Sequence, residues 1–315
     1  MCYNSNGCEN KVKDSCNSLK LIVLGSGKTT NKFIRKIVSL EKIELVGNIP
    51  DESVDNDTLA ELNDEVRGLG CRFLPLDDEA LRGADIIFSV EYRRIIPKEI
   101  VNSYNFINCH GGILPKWRGF SCNAWSIMNG ESEIGYSIHK MNERLDDGVL
   151  YFVKKIPIDE SKTYSDVHEN MILSIINEVP DVLIAIHNNE IIGEKQCGSY
   201  VYCNRFSPRM GFLNDFDKTS AYFCNLFRCM AKPLGTGVYI EYKGRRYDIG
   251  CVEDGVKYGL CEYIGVPGKI INIEDDRIWV KTRDSGIVLS GIKHNGVLIN
   301  PDKVFINGNN LTEMN

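Results

Sequence analysis

Several features that often mark a function class are absent from the sequence. No apolar run approaches the roughly 20 residues that cross a bilayer. Residues 1–18 are polar and carry no apolar stretch that could act as a secretory signal. None of the twelve cysteines forms a close C-x-x-C pair, the spacing from which zinc sites are usually built. We therefore expect a cytoplasmic protein without a structural metal, in which most cysteines are small core residues.

Basic residues do not outnumber acidic residues in the sequence. The 315 residues carry 37 Lys and Arg against 43 Asp and Glu, which gives a formal net charge of −6. Residues 201–315 carry 15 basic and 13 acidic side chains and are nearly neutral. Nucleic-acid binders draw much of their affinity from clustered basic side chains that neutralise phosphates. The composition therefore counts against a nucleic-acid partner.

Short apolar strands alternate with helices in the first part of the chain. The predicted strands are 21–24, 43–47, 73–74, 84–89 and 106–108, and the predicted helices are 31–40 and 58–69. Apolar strands that alternate with helices are typical of an open parallel α/β sheet. We predict a Rossmann-like, mostly parallel sheet with helices on both faces.

The pattern changes twice further along the chain. Residues 134–139 and 149–153 read as two strands, and a long helix follows, for which Thr163 and Asp166 form a candidate capping box. Beyond about residue 204 the helix signal mostly stops. Short strands at 238–242, 269–273 and 277–282 then indicate a small, OB-like β-barrel. The predicted organisation is an N-terminal extension with little structure (1–18), a catalytic domain (19–203) and a β-barrel domain (204–315).

A glycine-rich turn at 25–30, Gly-Ser-Gly-Lys-Thr-Thr, resembles a phosphate-binding P-loop. The full pattern needs a glycine five positions before Gly27, and that position is Ile22, inside the preceding strand. The shorter turn offers too few backbone N–H groups to surround a phosphate chain. We interpret it as a strand-to-helix turn that retains a weaker possible role near a substrate phosphate.

The most informative stretch begins at the end of the 106–108 strand. Asn108 and His110 are two residues apart, so both side chains leave the strand on the same side, and Cys109 points to the opposite face, where we expect it in the core. The carboxamide can stabilise a developing oxyanion, while the imidazole takes or relays the proton of an attacking amine. Asp146, in a Leu-Asp-Asp-Gly turn, offers a third group to hold that imidazole.

Together these residues match a family pattern. Asn-x-His is followed by small residues, Leu-Pro and Arg-Gly, and Leu-Asp-x-Gly places its Asp 36 residues after the His. The pattern resembles the folate-dependent formyltransferases, which include methionyl-tRNA formyltransferase, glycinamide ribonucleotide transformylase and the nucleotide-sugar N-formyltransferases. The resemblance covers roughly residues 19–300. It implies a Rossmann-like catalytic domain, 10-formyltetrahydrofolate as co-substrate, no metal, and Asn108, His110 and Asp146 as the catalytic trio.

The same resemblance implies a folate site between two loops. Residues 92–97, Tyr-Arg-Arg-Ile-Ile-Pro, look like the family's loop before the catalytic strand, and residues 143–146 look like the opposite wall. The implied folate-binding residues are Tyr92, Arg94, Ile95, Ile96, Glu143, Leu145 and Asp146.

The sequence leaves two classes of acceptor amine open, a nucleotide-linked amino sugar and methionyl-tRNA. His-Gly-Gly at 110–112, Asn-Ala-Trp at 123–125 and Asn-Gly-Glu at 129–131 resemble nucleotide-sugar formyltransferases of surface-polysaccharide biosynthesis, which are commonly homodimers. Residues 228–233 and 266–270 instead resemble the C-terminal domain of methionyl-tRNA formyltransferase. We favour a nucleotide-linked amino sugar, and a non-catalytic member that binds nucleotide sugars stays open as a further alternative. The predicted acceptor-binding residues are Gly111, Gly112, Lys116, Trp117, Arg118, Asn123 and Trp125, with Lys116 and Arg118 facing a diphosphate and a Trp facing a ring.

Overall fold

A computed structural model describes residues 18–260 and 263–312. The extension predicted for residues 1–18 therefore lies outside the described residues, apart from Ser18. The first part of the chain contains the elements β1 (Leu19–Leu24), α1 (Lys28–Ile37), β2 (Ile43–Ile49), α2 (Asn56–Gly68), α3 (Asp78–Leu81), β3 (Ile86–Ser89), α4 (Lys98–Ser103), β4 (Phe106–His110), β5 (Trp117–Gly119), α5 (Cys122–Met128), β6 (Glu133–Lys140), β7 (Leu150–Pro157), α6 (Tyr164–His187) and β8 (Val201–Cys203).

A six-stranded sheet in the order β2-β1-β3-β4-β6-β7 forms the frame of this part. The first four strands are parallel, and β6 and β7 add to the β4 edge in antiparallel orientation. Apolar side chains cover both faces. Phe33 and Ile34 of α1 and Val179 of α6 pack on one face, while Ile96 and Phe106 belong to the cluster on the other. The predicted Rossmann-like α/β class is confirmed.

The long helix α6 begins with the predicted capping box. The Thr163 hydroxyl accepts a hydrogen bond from the amide of Asp166, and the Asp166 carboxylate accepts one from the amide of Thr163 at 2.8 Å. By length and composition alone, α6 could cross a membrane. Its apolar residues, Val179 and Leu183 among them, are instead buried in the core against the sheet. Its apolar character is explained by packing inside the domain.

The remaining elements form a C-terminal β domain. They are α7 (Ser220–Met230), β9 (Val238–Tyr242), β10 (Arg245–Ile249), β11 (Cys251–Asp254), β12 (Ile270–Glu274), β13 (Arg277–Lys281), β14 (Gly286–Ser290), β15 (Lys293–His294) and β16 (Val297–Leu298). The strands pair as two four-stranded antiparallel sheets, β16-β15-β10-β9 and β11-β14-β13-β12, around one shared core.

Two details differ from the sequence prediction. Helix α7 was not predicted, although Phe223, Leu226 and Met230 on one side of it fill the core of the β domain. The strand predicted at 73–74 is reduced to a single bridge between Phe73 and Asn48, because the chain touches the sheet edge there for one residue only.

Candidate active site

The site lies where β4 ends between one parallel and one antiparallel neighbour. Asn108 is opposite Ser89 of β3 on one side and opposite His139 of β6 on the other. The next pair along β4 and β6 is formed by His110 and Ser137, two residues further. Polar side chains at the end of parallel strands therefore meet a histidine from the antiparallel strand, at the edge where α/β enzymes place their sites.

Asp146 completes the predicted trio from the turn between β6 and β7. Its side chain is buried, with Oδ2 3.5 Å from Nδ1 of His110 and Oδ1 3.5 Å from Nε2 of His139. The amide of Gly119 donates a hydrogen bond to Oδ2 at 2.8 Å. The structure thus brings the three predicted catalytic side chains together and adds His139 as a fourth.

The imidazole of His110 is fixed by a hydrogen bond at one ring nitrogen and faces a carboxylate at the other. Nε2 donates to the carbonyl of Trp117 at 2.8 Å, and Nδ1 faces the Asp146 carboxylate. Burial lowers the pKa of His110 below its ordinary value, while the charge of Asp146 opposes that shift. Burial alone would raise the pKa of Asp146, but its contacts with His139, His110 and the Gly119 amide together hold it below its ordinary value. The site therefore contains a buried carboxylate beside an imidazole that is biased towards its neutral form.

His139 was not predicted as a site residue. Its Nδ1 donates to the carbonyl of Lys140 at 2.9 Å, which leaves Nε2 as the acceptor for Nδ2 of Asn108 at 3.2 Å. The ring also meets His110 edge-on, with 6.3 Å between the centroids. A sequence signal did exist, because a histidine ends an apolar strand there. Its partner Asn108 could be named only once β6 was known to pair with β4.

The loop after β4 is held close to His110. The Ser137 hydroxyl donates to the carbonyl of Gly112 at 2.7 Å and accepts from the amide of Leu114 at 3.0 Å. A Cβ at Gly112 would lie 2.7 Å from His110 Nε2, whereas one at Gly111 would meet nothing within 4 Å. Gly112 thus needs its missing side chain for close packing, and Gly111 faces open space.

The other residues predicted to bind the acceptor fall into two groups. Lys116 is exposed and forms a 2.5 Å ion pair with Glu131, and Trp125 is half-buried, with Nε1 donating to the carbonyl of Asn204. Trp117, Arg118 and Asn123 are buried. The Arg118 guanidinium pairs with Asp147 and Gln196, and the Asn123 amide bonds both backbone polar groups of Gly135. Arg118 and Asn123 therefore use their polar groups inside the protein.

Cys109 lies on the opposite face of β4, as predicted. It packs partly against the core cluster that includes α1 and α6, and burial raises the pKa of its thiol. A thiol with a raised pKa holds little thiolate and is a poor nucleophile.

The glycine-rich turn at 25–30 has its own carboxylate. Glu91 places Oε2 within 3.0 Å of the amide of Thr29 and 3.1 Å of the amide of Thr30, at the first turn of α1. The same oxygen accepts from the Thr30 hydroxyl at 3.2 Å. A helix N-terminus attracts negative charge, and here that charge comes from within the chain. The amides at the first turn of α1 are therefore bonded to Glu91.

Comparison with known proteins supports the same chemistry. The family model described as formyl transferase matches residues 77–174, a span that contains Asn108, His110, His139 and Asp146. The chain carries a formyl transferase domain. This family uses formyl-tetrahydrofolate, and folate-dependent formyl transfer is the activity that the domain supplies. The resemblance inferred from the sequence is confirmed.

Individual relatives of the formyl transferase domain differ in acceptor. The chain is 26% identical over 233 residues to the methionyl-tRNA formyltransferase of Ruminiclostridium cellulolyticum, covering 73% of each protein. Its fold is similar to the N-formyltransferase of Helicobacter canadensis, solved with folinic acid and dTDP-3-aminofucose, at a TM-score of 0.63 and 19% identity, over 87% of this chain and 100% of that one. It also resembles HypX of Aquifex aeolicus (TM-score 0.58, 15% identity, 88% of this chain), but spans only 45% of that protein.

The two loops predicted to bind folate flank the ends of β3 and β4 in the formyl transferase domain. Tyr92 and Ile96 of one loop and Met141 of the other pack in the same apolar cluster. Glu143 contacts helix α4, which follows the first loop, through a hydrogen bond that its carboxylate accepts from Asn102 at 3.2 Å. Ile95 is 97% exposed.

Proposed function

We propose that this protein transfers the formyl group of 10-formyltetrahydrofolate to the amine of a nucleotide-linked amino sugar. The observation that carries the chemistry is the contact of one buried carboxylate, Asp146, with both His110 and His139, beside the amide of Asn108. In this proposal the folate supplies the formyl donor between the loop 92–97 and the wall formed by residues 143–146.

The reaction needs no nucleophile from the protein. The amine nitrogen attacks the formyl carbon and forms the new C–N bond, while the carbonyl oxygen takes up negative charge. Asn108, the partly exposed member of the trio, offers its amide N–H to that oxygen. The buried pair of His110 and Asp146 takes the proton that the amine loses. Collapse of the intermediate breaks the bond to N10 of the folate, which receives a proton, so that the products are a formamide and tetrahydrofolate.

The preference for a sugar rests on charge and on similarity. The net charge of −6 and the nearly neutral C-terminal domain offer little to a polyanion such as tRNA. The Helicobacter canadensis enzyme, whose fold this chain shares, was solved with a nucleotide-linked amino sugar. Exposed Lys116 supplies a cation for a diphosphate, and half-buried Trp125 lies further along the same segment. A cytoplasmic homodimer in surface-polysaccharide biosynthesis fits this proposal.

Methionyl-tRNA formyltransferase is the second candidate. It is favoured by the curated relative that matches over 73% of its length, beyond the formyl transferase domain alone. A catalytically inactive family member that only binds nucleotide sugars is disfavoured, because binding alone does not require a buried Asp between two histidines.

Purified protein incubated with 10-formyltetrahydrofolate, a panel of nucleotide-linked amino sugars and methionyl-tRNA tests the proposal. Folate release and product mass identify the acceptor. We expect a formylated sugar, at least 100-fold less of it with Asn108→Ala or Asp146→Asn, and full activity with His187→Ala at the far end of α6. Formylation of tRNA alone would overturn the sugar acceptor, and wild-type turnover that survives both substitutions would overturn the trio.

A further inference from the structure

The side chains of Gln196 and Arg118 form hydrogen bonds and an ion pair with the turn that carries Asp146. Nε2 of Gln196 donates to the carbonyl of Asp146 at 2.9 Å and to the carbonyl of Gly148 at 2.8 Å. Oε1 of Gln196 accepts from Nη2 of Arg118 at 2.9 Å, and Nη1 of Arg118 pairs with Asp147 at 2.5 Å. Residues 146–148, three of the four residues of the turn, are therefore bonded to Gln196 or Arg118.

The turn needs such support because its backbone is strained. Asp146 has φ +52°, in the left-handed region that residues other than glycine rarely adopt. A residue with a Cβ stays in this conformation only where the surrounding structure holds it there. In this conformation the carboxylate reaches His110, His139 and the amide of Gly119 together. Relaxation of the backbone would move the carboxylate away from at least one of them.

Strand β5 connects these contacts of Arg118 and Gln196 with the other residues of the site. Trp117 accepts from His110 through its carbonyl, Gly119 donates to Asp146, and Arg118 between them reaches the turn. Strand β8, which follows Gln196, pairs in parallel with β5. Arg118 is only 3% exposed, and Tyr200 covers its guanidinium at 4.1 Å. A buried arginine with fixed partners is suited to holding a position, since its fork cannot swing out to a ligand without unpairing Asp147.

We propose that Gln196 and Arg118 are positioning residues of the formyl-transfer reaction, which hold Asp146 in its left-handed conformation so that its carboxylate stays between His110 and His139. This inference rests on the proposed function of the trio. Neither residue contacts the reacting atoms in this arrangement. Their contribution reaches the reaction through Asp146.

Titration of His110 distinguishes the proposed positioning of Asp146 from a role of Gln196 and Arg118 in stability alone. The titratable and charged groups that face its ring are Asp146, His139 and Arg118. Asp146 raises the pKa of His110, whereas His139 and Arg118 lower it. Displacement of Asp146 would therefore lower the pKa of His110. Gln196 is the cleaner site to change, because removal of Arg118 would alter two opposing effects at once.

The test compares Gln196→Ala, Gln196→Glu and the neighbouring exposed Lys195→Ala as a matched control. Gln196→Glu keeps an acceptor for Arg118 and nearly the same size but loses both donors to the turn. We expect both Gln196 variants to lose about 10–100-fold in kcat with both KM values within threefold of wild type. The acidic limb of the pH–rate profile should shift to lower pH in Gln196→Ala, which adds no charge. Lys195→Ala should match wild type.

Titration of the His110 imidazole by NMR in the protein without substrates separates this inference from the proposed function. A lower pKa of His110 in Gln196→Ala supports the positioning role whichever amine is the acceptor. An unchanged His110 titration in Gln196→Ala, or wild-type kcat in Gln196→Glu, would overturn it. Absence of turnover with every amino sugar by the wild-type enzyme would instead count against the proposed acceptor.

Discussion

Asn108 and His139 face each other across β4 and β6, with 3.2 Å between Nδ2 of the amide and Nε2 of the ring. The proton on Nδ1 of His139, which is donated to Lys140, makes Nε2 an acceptor. The amide group of Asn108 is thereby oriented, with its nitrogen towards His139. An amide that stabilises an oxyanion works best when it is fixed before the reaction.

Replacement of His139 is expected to lower kcat more than it changes KM for either substrate. His139→Ala removes the acceptor that orients Asn108 and one of the three contacts of the Asp146 carboxylate. Loss of one oriented donor costs about 100–1,000-fold in comparable sites. Steady-state kinetics with both substrates, beside His187→Ala as control, check this, and a kcat within threefold of wild type would contradict it.

Substitution of Glu91 is expected to weaken the start of α1. The N-cap residue Gly27 has no side chain with which to bond the first amides, and Glu91 bonds those of Thr29 and Thr30 in its place. Loss of a comparable cap costs about 1 kcal/mol of unfolding free energy. Urea unfolding of Glu91→Ala should show that loss at an unchanged m-value.

The matched control for Glu91 removes a carboxylate of α6 that contacts α1 beyond its first turn. Glu169 pairs with Lys32 of α1 at 2.8 Å, and both side chains are exposed. Exposed pairs contribute between zero and about 1 kcal/mol, usually near the low end. Equal losses in Glu91→Ala and Glu169→Ala would show that the Glu91 carboxylate has no special part at the N-terminus of α1.

The features that the sequence could predict are those whose residues lie close together along the chain. Asn108 and His110 are two residues apart on one strand, and Thr163 and Asp166 three apart at one helix start, so period and spacing were enough. Their geometry agrees with the prediction. Asp146 was found through a family pattern at a fixed distance from His110.

The missed features depend on pairing between distant segments. Gln196 lies 50 residues from the carbonyl it bonds at Asp146, and Glu91 lies 62 residues from Thr29. No pattern within a strand or helix links such positions. Only the strand order and the parallel pairing of β5 with β8 bring them together. The same reasoning explains why Arg118 was predicted to face the acceptor and is found bonded to Asp147.

The stability of the protein is expected to depend on pH through His110. Its pKa is lower in the folded protein than the ordinary value of 6.5, so the unfolded chain binds more protons in the interval between the two values. Unfolding free energy should therefore fall as pH drops below about 6.5, with a slope of at most about 1.4 kcal/mol per pH unit from this group. The contribution of Asp146, whose pKa is lowered, is lost only below its ordinary value of 3.8.

His110→Gln isolates this effect. Glutamine retains an amide N–H for the carbonyl of Trp117 but does not titrate. Urea unfolding at several pH values between 5 and 7 (about one unit either side of the ordinary pKa of histidine) should give a flatter dependence in the variant. A dependence as steep as that of wild type would mean that another histidine, such as half-buried His168, dominates the interval.

Two adjacent glycines, Gly111 and Gly112, give a paired test of the loop after β4. A methyl group at Gly112 would lie 2.7 Å from Nε2 of His110 and 2.7 Å from Cβ of Cys122, both held by neighbouring structure. Gly112→Ala should therefore displace the His110 ring, lower kcat by about 10–100-fold and cost about 1–3 kcal/mol of unfolding free energy. A methyl group at Gly111 meets nothing within 4 Å, so Gly111→Ala should leave the unfolding free energy unchanged.

The kinetics of Gly111→Ala then report on the acceptor. If the acceptor approaches the backbone at Gly111, as the sequence pattern predicts, the methyl group should raise the acceptor KM while the folate KM stays constant. Because this variant should fold as wild type does, a change in that one constant measures contact with the acceptor directly. Equal destabilisation by the two substitutions would mean that the loop packs differently from the arrangement in which Ser137 bonds Gly112 and Leu114.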